Sequence, residues 1–169
     1  MNRIFYAILY SISLLPLRIL YVFSWLIYVL LNYLIGYRRK VIFNNLKNSF
    51  PEKSNSEIKL IQKKFYKNFA DYLVETLKGF SISQEELDKR HTYSNLEVFE
   101  EIKNEGKNVM MMAGHIFNWE WFIGTVKHLP TTNTVAIHHK IYNPFWNEKV
   151  NEMRSRFGTF SHDMKKTAR

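Results

Sequence analysis

The chain has 169 residues, a length that suits one domain with an appendage. It contains no cysteine, which excludes a disulfide framework, a thiol nucleophile and metal sites built from thiolates. The formal net charge is +9, and all of this excess lies in the first 67 residues. The basic character therefore belongs to one region of the chain.

The N-terminal segment is the most apolar part of the chain. Between Ile4 and Ile35 the only charged residue is Arg18, and the stretch from Ile19 onwards is rich in aromatic side chains. A helix needs about 20 such residues to cross a bilayer. Pro16 interrupts the first part, so a single spanning helix and two shorter helices in one leaflet both remain open. A buried core helix is a third alternative, and we expect no cleavable signal peptide.

A basic belt follows this segment directly. Residues 38–67 carry nine basic and two acidic side chains, a net charge of +7. Such a belt indicates contact with anionic lipid headgroups, to which each cation contributes about 1 kcal/mol. A solvated helix face and a nucleic-acid patch are alternatives, and no nucleic-acid motif favours the second. We therefore predict a membrane anchor at residues 1–36 and a domain at residues 37–169, which the positive-inside rule places on the cytoplasmic side.

Capping and periodicity predict a long helix next. Ser54 and Glu57 form a capping box, so we expect a helix from about Ser54 to Lys78, ended by Gly79. The apolar residues of this helix recur every three or four positions. They predict one buried face, made of Ile58, Ile61, Phe65, Phe69, Tyr72, Leu73 and Leu77.

Helices and strands are predicted to alternate in the remainder of the chain. The expected elements are a short helix or loop at Ile82–Arg90, a strand near Thr92–Tyr93, a helix around Asn95–Asn104 ended by Gly106, a central strand at Asn108–Ala113, a helix at Trp119–Leu129 stopped by Pro130, a strand at Asn133–His138, and a helix from about Pro144 to Phe157 followed by Gly158. This alternation predicts an α/β fold with a parallel sheet covered by helices.

A histidine and a carboxylate lie where the expected central strand gives way to a helix. On one continuous helix, His115 and Glu120 would point about 140° away from each other. They can cooperate only if His115 precedes the helix and Glu120 occupies its first turn, which Gly114 favours by allowing a sharp backbone reversal. Imidazole suits proton abstraction near neutral pH, so His115 is a candidate base for a substrate hydroxyl. A hydrogen-bonded loop histidine and an acid placed for its interaction with the helix dipole are the alternatives.

Several motifs occur in a characteristic order. They are the apolar anchor, Tyr37-Arg38-Arg39-Lys40-Val41, Asn45-Leu46-Lys47-Asn48-Ser49-Phe50-Pro51, Gly114-His115 with Asn118-Trp119-Glu120, and Asn143 with Met153-Arg154-Ser155-Arg156-Phe157-Gly158. This order resembles the bacterial late acyltransferases of lipid A biosynthesis and the related mycobacterial acyltransferases of phosphatidylinositol mannosides. The resemblance covers nearly the whole chain. It implies a membrane-anchoring helix followed by a partial, glycerolipid-acyltransferase-like parallel sheet flanked by helices.

The resemblance also implies an activity and a set of site residues. The activity is transfer of a fatty acyl chain from acyl carrier protein to a hydroxyl of a lipid A precursor, at the cytoplasmic face of the inner membrane and without a cofactor. His115 would be the general base and Glu120 its partner. Arg154 would contact phosphate or the acyl donor, and the further substrate-binding candidates are Arg156 and Asn118. An exposed helix-end cation is the alternative for Arg156, which lies about 200° around the helix from Arg154.

Two more expectations concern metal binding and completeness. His138 and His139 are not expected to bind a metal, because adjacent strand residues point to opposite faces. Members of the family continue beyond the end of this chain, and a later motif with an aspartate–glutamine pair is absent from it. A truncated, inactive membrane-associated fragment is therefore one alternative. An acyltransferase for a lysophospholipid or glycolipid acceptor is another.

Overall fold

The computed structural model describes residues 1–129 and 133–167, and the chain divides into two compact units. The helical unit comprises Leu9–Lys78, and the mixed unit comprises Met1–Ile8 with Gly79–Arg169. The mixed unit combines helices with a small parallel sheet, so the fold is a largely helical α/β arrangement. The α/β prediction is confirmed, whereas the division at residues 36 and 37 stays a prediction.

The regular elements follow one another along the described chain. The helices are α1 (Asn2–Ser13), α2 (Leu17–Val29), α3 (Arg39–Ser49), α4 (Asn55–Lys78), α5 (Gln84–Asp88), α6 (Glu97–Asn104) and α7 (Pro144–Ser155). The strands are β1 (Thr134–His138) and β2 (Thr159–Asp163). A π-helical segment at Leu30–Ile35 continues α2, and 3₁₀ helices lie at Trp119–His128 and Met164–Lys166.

Pro16 separates α1 from α2, because proline lacks the N–H that a continuous helix needs. Beyond it, α2 and the π-helical segment form one continuous helix, Leu17–Ile35, of 19 residues. By length and composition this helix could cross a membrane. Gly36, with a φ of 64°, ends it in the left-handed conformation.

The helix α4 begins at the predicted capping box. The Ser54 backbone N–H donates to Glu57 Oε2 at 2.9 Å, and the Glu57 N–H donates to Ser54 Oγ at 3.3 Å. The helix ends at Lys78, immediately before Gly79. Its start and its end therefore confirm the sequence prediction.

The predicted buried face of α4 is only partly confirmed, because Ile58 is buried and the remaining predicted residues other than Phe65 and Leu73 are half-buried. Phe65 and Leu73 are exposed, and the residues that are buried instead are Gln62, Tyr66, Ala70, Val74, Glu75 and Lys78. Polar side chains can lie on this face because they find partners there. Gln62 Nε2 donates to the Arg39 carbonyl and Tyr66 Oη to the Tyr37 carbonyl, both at 2.7 Å.

The mixed unit is organised by β1, α7 and β2. The two strands pair in parallel, with Thr134 opposite Thr159 and His138 opposite Asp163. The predicted strand β1 and helix α7 are confirmed. The Asn143 side chain accepts the Trp146 N–H at 3.3 Å and so caps α7, whose first residue is proline. The sequence analysis did not predict β2.

Two predicted strands are wrong. Residues 108–113 form an irregular, exposed segment, and Thr92–Tyr93 is likewise not a strand. A strand needs a hydrogen-bonding neighbour, and in the described chain β1 and β2 pair only with each other. The Tyr93 ring packs instead against the rings of His91 and His128.

The remaining helical predictions are largely confirmed. The short helices α5 and α6 form within the predicted segments. The expected helix at Trp119–Leu129 forms as a 3₁₀ helix that ends at His128. Its predicted stop at Pro130 lies outside the described residues.

Candidate functional site

A tight turn carries His115 into the 3₁₀ helix. The Ile116 N–H donates to the Gly114 carbonyl at 2.8 Å, which closes a three-residue turn around His115. Phe117 then adopts a φ of 54°, a left-handed conformation that costs an ordinary residue about 1–2 kcal/mol. The reversal expected at Gly114 is thus completed by Phe117, a large exposed residue.

The predicted order of His115 and Glu120 is observed. His115 precedes the 3₁₀ helix, and Glu120 lies in its first turn. The exposed His115 ring meets the Trp119 ring edge-on, with a centroid separation of 4.7 Å. No hydrogen bond joins His115 to Glu120 in the part of the chain that the structure describes. The roles of both residues stay predictions.

The Glu120 carboxylate is held by Arg154 from α7. Arg154 Nε donates to Oε2 at 3.1 Å, and its Nη2 donates to Oε1 at 2.7 Å. The Glu120 side chain is 12% exposed and that of Arg154 is 20% exposed. Such a two-point, charge-assisted contact fixes both the position and the plane of the carboxylate. Residues 34 positions apart thereby meet, and the sequence contained no local signal for this pairing.

A further histidine lies near this ion pair. His138 Nε2 lies 2.7 Å from Asn151 Oδ1 and 3.0 Å from Ser161 Oγ. Burial of the ring, followed by the positive charge of Arg154, lowers the pKa of His138 from its ordinary value of 6.5. The cluster joins β1, α7 and β2, and the sequence analysis missed it because β2 was not expected.

The other two predicted binding residues have structural contacts. Arg156 Nη1 and Nη2 donate to the carbonyls of Gly79 and Ile82, each at 3.0 Å, so the guanidinium ties the end of α7 to the chain before α5. Asn118 is buried, and its side chain does not cap the 3₁₀ helix that follows it. Their roles in substrate binding stay predictions.

His128 and His139 lie outside the cluster around His138. His128 Nε2 lies 2.8 Å from Asp88 Oδ1, and this hydrogen bond lowers the pKa of the Asp88 carboxyl. His139 is exposed. Within residues 1–129 and 133–167, no three histidine or carboxylate side chains converge in a way that could hold a metal ion.

A sequence model of one protein family matches almost the whole chain. The family is described as bacterial lipid A biosynthesis acyltransferase, and the match covers residues 2–168. No curated protein and no solved structure matches the chain.

Proposed function

Because the chain belongs to the bacterial lipid A biosynthesis acyltransferases, we propose that it acylates a hydroxyl of a lipid A precursor with acyl carrier protein thioester as donor. The observation that carries this proposal is the family match together with His115 before, and Glu120 within, the first turn of the 3₁₀ helix. That order supports the proposal because a base and an orienting acid require it in order to cooperate on one substrate hydroxyl.

The proposed step is a direct acyl transfer. His115 takes the proton from the acceptor hydroxyl while the oxygen attacks the thioester carbonyl carbon, forming the new ester C–O bond. The C–S bond then breaks, and the sulfur leaves as the thiol after taking the proton from the imidazolium. No covalent intermediate on the protein is required.

Glu120 can serve His115 while it remains bound to Arg154. The two Arg154 contacts occupy one lone pair on each carboxylate oxygen, and an ionised carboxylate offers about four such acceptor sites. In the proposal the His115 ring turns from Trp119 towards Glu120 when substrate binds, and Arg154 acts as a positioning residue. Its guanidinium still carries donors that can reach a phosphate oxygen.

The proposed location is the cytoplasmic face of the bacterial inner membrane. The apolar helix Leu17–Ile35 and the net charge of +7 in residues 38–67 support attachment to a lipid surface. An acceptor that is itself a lipid would then be reached without leaving the bilayer.

The experiment is an acyl-transfer assay on membranes that contain the protein. The parent chain, His115→Ala and His162→Ala are each incubated with lipid A precursor and acyl carrier protein thioester, and the lipids are analysed by mass spectrometry. His162 provides a matched control because its side chain is exposed on β2. We expect His115→Ala to lower the rate by about 10²–10⁴-fold and His162→Ala to leave it unchanged.

Other outcomes separate the parts of the proposal. Equal rates for the parent and His115→Ala would contradict the role of the histidine. Product from a coenzyme A thioester but not from the acyl carrier protein thioester would contradict the donor. Acylation of lysophospholipid alone would contradict the acceptor, and no product from the parent would favour a non-catalytic membrane-associated chain.

A further inference from the structure

In the helical unit, α4 runs alongside the apolar helix Leu17–Ile35 for much of its length. Two side-chain hydrogen bonds join the two helices, Tyr21 with Glu75 and Ser24 with Asp71, and Lys63 interacts electrostatically with Tyr33 as a third pair. Residue numbers rise along the first helix as they fall along the second, so the helices are antiparallel. The pairs extend over 12 residues of the apolar helix, or about 18 Å.

Because the two helices pack side by side, α4 must lie at the same depth in the membrane as the helix Leu17–Ile35. The stretch of α4 between the outermost pairs carries several charged residues, namely Lys63, Lys64, Lys67, Asp71 and Glu75. If Leu17–Ile35 crossed the bilayer, α4 would carry these charges into the hydrocarbon. Each charge there costs about 3 kcal/mol, whereas an apolar residue contributes only about 0.5 kcal/mol. A spanning orientation of this helix pair is therefore unfavourable.

The face of α2 turned away from α4 is apolar and open. The residues buried against the rest of the helical unit are Leu17, Leu20 and Ser24. On the opposite side lies a stripe at helical spacing, which we call the lipid stripe: Ile19, Val22, Phe23, Leu26 and Leu30, whose exposed fractions range from 43% to 62%. The helix pair therefore has an apolar side on α2 and a charged side on α4, which suits a position in the plane of a membrane surface.

We propose that the helical unit inserts into one leaflet of a bilayer with anionic headgroups and does not span it. The lipid stripe faces the acyl chains, while α4 and its lysines lie at the level of the headgroups, which their charge complements. The proposal rests on the membrane attachment in the proposed function and is independent of acyl transfer.

Cysteine labelling tests this placement, because the chain has no cysteine of its own. Leu14→Cys reports on the segment before the apolar helix, and Asn55→Cys reports on the start of α4. Both positions are exposed. A membrane-impermeant maleimide is added to sealed vesicles of either orientation, with detergent-treated vesicles as the control for thiol reactivity. We expect both cysteines to be accessible from the same face of the membrane only. Leu14→Cys should therefore not be labelled from the face at which Asn55→Cys is protected. Labelling from that face would overturn the one-leaflet placement.

A matched pair of variants tests the lipid stripe itself. Val22 lies in the stripe and Val135 on β1, with exposed fractions of 62% and 57%. Val22→Asp should reduce binding to vesicles of phosphatidylcholine and phosphatidylglycerol by about tenfold or more, and Val135→Asp should not. Circular dichroism of both variants checks their folding.

The outcomes distinguish insertion of the lipid stripe into one leaflet from membrane attachment in general. Unchanged vesicle binding by Val22→Asp would contradict insertion of the lipid stripe. Release of the parent chain from membranes by salt alone would contradict apolar insertion altogether, because salt screens only electrostatic attachment.

Discussion

Buried charged groups in the two units make hydrogen bonds of different kinds. In the helical unit, Lys78 Nζ donates to the carbonyls of Ser13 and Leu15 at 3.2 and 3.1 Å, and Glu75 accepts the Tyr21 hydroxyl at 2.7 Å. Each of these charged groups therefore has at least one neutral hydrogen-bond partner from another part of the unit. In the mixed unit, by contrast, Glu120 and Arg154 meet as opposite charges.

The two kinds of contact have different effects on packing and on local charge. Hydrogen bonds from a charged group to neutral partners on another helix fix how the helices pack. A direct ion pair also sets the charge around a candidate reactive group, so loss of one partner leaves the other charge uncompensated. We therefore expect loss of one partner of the Glu120–Arg154 pair in the mixed unit to have a larger effect than loss of the Lys78 hydrogen bonds in the helical unit.

The largest effect is expected from breaking the ion pair on one side. Arg154→Met leaves the Glu120 carboxylate, which is only 12% exposed, without its counter-charge, and should lower the free energy of unfolding by about 3 kcal/mol. The double variant Arg154→Met/Glu120→Leu should recover most of that loss, because neither charge remains buried. Chemical denaturation measures the free energy of unfolding of the single and the double variant.

A more exposed ion pair in the same unit is the control. Arg90 and Glu86 lie 3.7 Å apart on the surface, and Arg90→Met should cost less than about 1 kcal/mol. Equal destabilisation by the single variant Arg154→Met and by the double variant would show that packing of the arginine stem, and not charge, stabilises the site.

A smaller effect is expected in the helical unit. Lys78→Met removes two hydrogen bonds to backbone carbonyls but also removes the cost of burying an ammonium group. We expect a loss of about 1–2 kcal/mol in the free energy of unfolding. Lys67→Met, at an exposed position of the same helix, should change it by less than about 0.5 kcal/mol. No difference between these two variants would contradict the bonding role of Lys78.

Local signals account for what the sequence predicted correctly. The capping pair Ser54 and Glu57 and the Asn143-Pro144 start of α7 each involve residues within one turn of a helix. The order of His115 and Glu120 also follows from a local break before the 3₁₀ helix. These features could be predicted because the groups that determine them are close in sequence.

The features that the sequence did not predict depend on distant partners. The apolar run at residues 108–113 has no pairing strand in the described chain, whereas the more polar Thr159–Asp163 pairs with β1. On α4, periodicity identified an apolar face, yet the packed face is the one whose polar groups bond to other helices. The contact between Glu120 and Arg154 likewise requires the tertiary fold.

The smallest effect concerns the pH dependence of the mixed unit. Burial and the charge of Arg154 lower the pKa of His138 below 6.5, so the folded state favours the neutral ring. Its contribution to stability is complete above the unfolded pKa of about 6.5 and falls as the pH drops towards the folded pKa, because the unfolded chain takes up the proton first.

Denaturation at pH about 7.5 and about 5.5 should therefore show a loss of stability on acidification that His138→Gln reduces. His139→Gln is the control, since that ring is exposed. Arg154→Met should also reduce the His138 contribution, because the positive charge is the second cause of the lowered pKa. An unchanged pH dependence in His138→Gln would show that other groups dominate the titration. The coupling between His138 and the Glu120–Arg154 pair would then have no measurable effect on stability.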